Sequence, residues 1–143
     1  MNSNWTKWIV SSLTKCVNDG RGSLNLHIEG GERPNLDLLE LRFIGPTREE
    51  LSYKLYQIDI TIDLLIQSVI SPTNIYKLED NLGVAVSILK GSLPIYQYGD
   101  GDALWECLTQ ESPIKIQRFG QLNPNVKTLL ATVSAAYSMR VEE

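Results

Sequence analysis

From Trp5 onward the apolar positions recur at intervals of three and four: Trp5, Trp8, Ile9, Leu13, Cys16 and Val17. That spacing puts them on one face of a helix over residues 3–18. Asn18, Asp19 and Gly20 supply its stop, and Gly20 suits a C-terminal cap. From residue 23 the period drops to two. Leu24, Leu26 and Ile28 alternate with Asn25, His27 and Glu29, the pattern of a half-buried strand. After a turn-rich stretch at 30–35, residues 36–44 read as a second strand with Leu39, Leu41 and Phe43 on one face. The two strands are expected to form a β-hairpin whose loop is too long for a tight two-residue turn.

Gly45, Pro46 and Thr47 are expected to end that strand and open the longest helix, because Thr47 and Glu50 have capping-box spacing. Leu51, Leu55, Ile58, Ile62, Leu65, Ile66 and Val69 form its apolar stripe, while Tyr53, Tyr56 and Ile60 add apolar surface elsewhere. A helix apolar on more than one side belongs between layers, so it is expected at the centre of the domain. Ser71-Pro72-Thr73 predicts the start of a further helix near Asn74, carried by Ile75, Leu78, Leu82, Ala85, Val86 and Leu89 and stopped by Gly91. Residues 83–89 also alternate and could form a buried strand; helix is favoured. Residues 93–98 read as extended, 103–108 as a short helix and 114–119 as a strand. A last helix begins at Asn123-Pro124 and carries Val126, Leu129, Leu130, Val133 and Tyr137.

The expected order is α-β-β-α-α-(β)-α-β-α. Strands grouped beside helices, without alternating β and α units, predict an α+β fold: a small, mainly antiparallel sheet with a hairpin, packed against a long central helix. Nothing divides residues 1–143 into two units, so a single globular domain is expected.

Charge narrows the functional classes. The 13 Lys and Arg against 17 Asp and Glu give a net charge of -4, and the basic residues are scattered, which argues against a nucleic-acid binder. No stretch is long and apolar enough to span a bilayer. Cys16 and Cys107 have no Cys or His at metal-ligand spacing and read as small buried hydrophobes. No secretory leader is evident, because Thr6, Lys7, Ser11 and Ser12 interrupt the first apolar run. The expected location is the reducing cytoplasm.

Candidate chemistry is sparse. His27 is the only histidine and falls on the polar side of its strand, where a solvated residue is expected. Nucleophile-elbow, phosphate-binding G-x-x-x-x-G-K and dinucleotide G-x-G-x-x-G patterns are absent from the sequence. Asp100, Asp102 and Glu106 form the densest carboxylate cluster and would suit Ca²⁺ or Mg²⁺, although a turn and a helix cap also account for them. Asp59 and Asp63, one helical turn apart, read as the polar edge of the long helix. Tyr96, Tyr98 and Trp105 bracket the Asp/Gly turn and offer contact area at low entropy cost. The N-terminal segment pairs Trp5 and Trp8 with Lys7 and Lys15. It could lie on a partner or a membrane surface, but docking on the sheet is the expected arrangement.

These features favour a non-catalytic protein–protein interaction module without a cofactor, self-associating or part of a larger complex. Trp5, Trp8, Tyr96, Tyr98, Trp105 and the hairpin tip at Glu32 and Arg33 are its candidate contacts. A small-molecule sensor with a pocket lined by Tyr53, Tyr56 and Trp105 is the first alternative. An enzyme using a divalent cation on Asp100, Asp102 and Glu106 is the second.

Overall fold

The computed structural model describes residues 5–28, 36–74, 76–89, 91–97, 103–119 and 128–142. The elements in chain order are α1 (Trp5–Gly20), β1 (Asn25–Ile28), β2 (Leu38–Ser52), β3 (Leu55–Val69), α2 (Lys77–Leu89), β4 (Leu93–Tyr96), β5 (Leu104–Gln110), β6 (Lys115–Phe119) and β7 (Thr128–Glu142). The strands run in the order β1-β2-β3-β7-β5-β4, and β6 also pairs with β7. They form one curled half-barrel sheet and hold more than half of the described residues.

The expected fold class is therefore corrected: the protein is mostly β, with two short helices among the described residues and no long central helix. The segment read as that helix, residues 47–69, is the outer half of β2 and the whole of β3, folded back through a turn at Tyr53 and Lys54. Its chemistry explains the outcome. Ile58, Ile60, Ile62 and Leu64 are buried and alternate with Asp59, Thr61 and Asp63, and the β-branched residues among them favour the pleated backbone over a helix. Thr47 and Glu50, read as a capping box, instead stand across from Asp59 and Tyr56 in the β2–β3 ladder.

The last predicted helix is likewise a strand. In β7, Ala131, Val133, Ala135, Tyr137, Met139 and Val141 are buried at strict two-residue spacing. Residues 103–108, read as a short helix, lie mostly in β5. The expected β1–β2 hairpin is also overturned, because these strands run parallel with Asn25 level with Leu38. The remaining strand pairings are antiparallel.

One sheet face carries the core. Leu39 of β2, Ile58 to Ile66 at alternate positions of β3, and the buried row of β7 pack with Ile9, Leu13 and Val17 of α1 and Leu78, Leu82, Ala85 and Leu89 of α2. The two helices approach closely at Gly20, where a Cβ would come within 2.8 Å of the Ile88 side chain. On the opposite face of β2, β3 and β7, Leu38 and Leu65 are buried at one end, and beyond them Arg42 stands opposite Asp63 and Asp63 opposite Ser134.

Candidate functional site

Strand β2 is the element whose sequence and surroundings differ most along its length. Its first part, Leu38–Leu41, is covered on the outer side by β1. Beyond Leu41 its outward edge has no strand partner among the described residues, while its inner edge stays on β3 to the hairpin turn. The ladder is interrupted between Ile44 and Thr47 by a bulge that contains Gly45 and Pro46, and again between Glu50 and Ser52, where Leu51 has no register partner on β3. Gly45 has φ +99, and a Cβ there would sit 3.0 Å from the Asp59 carbonyl oxygen. Both facts demand glycine. Pro46 lacks an N–H and cannot donate to an added strand, so the edge that remains usable runs from Thr47 to Ser52.

That edge is rimmed by exposed apolar side chains. Ile44 is 69% exposed, Leu51 40% and Tyr53, at the hairpin turn, 85%. Between them lie Arg48, Glu49 and Glu50, all exposed. Arg48 stands across from Ile58 and Glu50 across from Tyr56, so both project from the same sheet face, and Thr47 and Glu49 project from the other. The Arg48 guanidinium rests 5.0 Å from the ring centroid of Tyr56 on β3, a cation–π contact between the two strands.

At the base of the same strand is a polar cluster. Glu40 is 2% exposed; Arg42 meets its carboxylate at 2.5 and 2.6 Å, and His27 Nε2 lies 3.5 Å from it. His27 and Glu40 are register partners in the β1–β2 ladder. The histidine expected to be solvated has only 14% of its side chain exposed and helps fasten β1 to β2.

The residues singled out in the sequence are dispersed. Trp5 and Trp8 are half-buried against the core, and Trp8 meets Trp105 of β5 edge-on, with centroids 5.0 Å apart and planes at 79°. Tyr96 ends β4; its N–H donates to Ser12 Oγ of α1 at 2.8 Å, and Lys15 Nζ lies 6.0 Å over its ring. Glu106 is half-buried in β5 and accepts the Cys107 N–H at 3.2 Å. Tyr98, Glu32, Arg33, Asp100 and Asp102 lie outside the described residues. Among the described residues no group of three or more His, Cys, Asp or Glu could hold a metal ion. Asp59 and Asp63, expected one helical turn apart, sit four residues apart on one face of β3, with Thr61 between them on that face. The imagined pocket of Tyr53, Tyr56 and Trp105 does not form around Tyr53, which points from the hairpin turn into solvent.

A second feature is a groove of about 440 Å³ between α1, α2 and β4, lined by Ser12, Lys15, Cys16, Asp19, Ser87 and Tyr96 among others. Burial, followed by the nearby Asp19 charge, raises the Cys16 thiol's pKa, so it stays protonated at neutral pH and is a poor nucleophile.

Sequence reasoning missed the β2 edge because it placed a helix there. The signal that could have found it is the alternation from Ile58 to Leu64, preceded by the exposed Tyr53-Lys54 turn.

No protein-family model matches the chain, and no curated protein matches its sequence. Among solved structures, one that carries no functional description is similar over 93% of this chain and 94% of its own length, with a TM-score of 0.62 and 11% sequence identity. That likeness shows the fold alone. No described helix is long and apolar enough to cross a membrane.

Proposed function

We propose that the protein is a non-catalytic interaction module that works by self-association or as one part of a larger complex. The observation that carries this reading is the outer edge of β2 beyond Leu41, which has no strand partner among the described residues and is flanked by the exposed Ile44, Leu51 and Tyr53. An unpaired strand edge is a row of unused N–H and C=O groups, and natural proteins either blunt it or give it a partner. Here the bulge blunts one end, while the stretch beyond it keeps both backbone groups and apolar flanks. The free thiols Cys16 and Cys107 fit a reducing, cytoplasmic setting. Light scattering on the purified protein, combined with a tagged pull-down, tests the reading. A defined oligomer or a stoichiometric partner is expected; a monomer that retains nothing would overturn it.

The groove between α1, α2 and β4 favours a second reading, a small-molecule sensor. It offers one cation at Lys15, one carboxylate at Asp19 and an aromatic wall at Tyr96. A thermal-shift screen in which no compound raises the melting temperature would remove it.

A further inference from the structure

We infer that the occupant of the β2 edge is a second copy of this chain, paired antiparallel through residues 47–51 about a two-fold axis at Glu49. This deepens the interaction-module reading and rests on it.

The sequence of the edge is complementary to itself in that register. A two-fold axis perpendicular to the sheet puts each residue opposite its symmetry mate, counted outward from the residue on the axis. With Glu49 on the axis, Arg48 of each copy stands across from Glu50 of the other, giving two opposite-charge pairs on one face. Thr47 stands across from Leu51. Ser52 comes level with Pro46 at the bulge, and the exposed Ile44 and Tyr53 lie beyond the two ends of the paired stretch. One register therefore matches the charges, sets the exposed Leu51 against Thr47 and brings the exposed Ile44 and Tyr53 to the ends of the paired stretch.

Neighbouring registers fail. An axis at Arg48 or at Glu50 sets like charges against each other and leaves the remaining charges unmatched. The outer edge of β6 is a weaker alternative. About Gln117 it would place Ile116 across from Arg118 and Lys115 across from Phe119, with no ionic match, and Arg118 is already paired with Glu79.

The chosen register has one repulsive element, Glu49 against its own copy on the opposite face. It gives the interface a signature of its own: neutralising Glu49 tightens the dimer, whereas reversing either neighbour loosens it.

The test is sedimentation equilibrium of the full chain as wild type and as Arg48→Glu, Glu50→Arg, the double exchange R48E/E50R, and Glu49→Gln, with circular dichroism to confirm that each retains its sheet. Each single reversal is expected to weaken the dimer by about tenfold, since two symmetry-related pairs turn repulsive together. The double exchange restores the pairs with their signs swapped and is expected to recover the dimer. Glu49→Gln is expected to tighten it by about threefold. An oligomer indifferent to both single reversals would overturn the edge while leaving self-association intact. Loss of the dimer in the double exchange as well as in the singles would overturn the register. A wild-type monomer at every concentration would overturn self-association and leave only a foreign partner for the module.

Discussion

Tyr137 of β7 donates its phenolic hydrogen to the carbonyl oxygen of Leu89, the last residue of α2. A helix leaves its final carbonyls without intrahelical donors, and this one is buried against the sheet, so the phenol both satisfies it and fixes where the helix ends. Burial, with a smaller effect from Cys16, pushes the Tyr137 pKa up to about 12.

Replacing Tyr137 with Phe keeps the ring and removes the bond, and should cost about 1 kcal/mol in urea unfolding. The pH dependence follows from the raised pKa. Between the ordinary value of 10.0 and about 12 the folded chain keeps a proton that the unfolded chain releases, so stability falls as pH rises through that window. Y137F should show a shallower alkaline loss than wild type when unfolding is compared at about pH 9 and pH 11.

Arg42 is the closest charge partner of the buried Glu40. Arg42→Met removes it and should destabilise by about 3 kcal/mol, because a buried carboxylate loses its main compensating charge. Arg42→Lys, a point charge without the fork, should recover part of the loss. Denaturant midpoints of the three proteins at neutral pH check the order.

Arg118 of β6 grips Glu79 of α2 with both ends of its guanidinium, at 2.9 and 2.8 Å. Hydrogen bonding to Arg118 holds the Glu79 carboxyl below its ordinary 4.5, so the tie is complete above that value and is released as pH falls through the lowered one. The pair is exposed, so global stability should hardly change in Glu79→Gln. Amide exchange across 115–119 should instead quicken in that variant, and in wild type on acidification once the intrinsic pH dependence is corrected.

Gly45 is the one residue of the β2 bulge that tolerates no side chain, given its positive φ and the Asp59 carbonyl 3.0 Å from a Cβ. Gly45→Ala should cost about 1–3 kcal/mol. It should also weaken self-association, because moving the bulge shifts Thr47–Ser52 out of register. Thermal unfolding and sedimentation on the same sample separate the two effects.

How legible these features were depends on the period of each segment. The α1 face of Trp8, Ile9, Leu13, Cys16 and Val17 mixes odd and even positions and fits period 3.6 alone, and the helix stands where it was expected. Residues 55–69 satisfy both periods, since Leu55, Ile58, Ile62 and Leu65 fit a helix while Ile58, Ile60, Ile62 and Leu64 fit a strand. Their β-branched content decides it. In β7 the alanines carried helix propensity, but Ala131 and Ala135 point into the core in one row with Val133 and Tyr137, a packing role that propensity does not encode. The parallel β1–β2 pairing joins segments close in sequence, so adjacency suggested a hairpin. The His27–Glu40 ladder partners become visible only once the strands are known to run the same way. The β2 edge was illegible for a simpler reason: an edge is a property of strand order, which pairs residues far apart in the chain.

The most direct test of an interaction module built on the β2 edge is amide hydrogen exchange of residues 47–52 followed over a wide range of protein concentration. A paired edge predicts protection that rises with concentration in those of the amides that point away from β3 and is lost on dilution, while the core strands β3 and β7 stay protected throughout. Exchange of these outward amides that is fast at every concentration, and unaltered when partner-containing lysate is added, would contradict it.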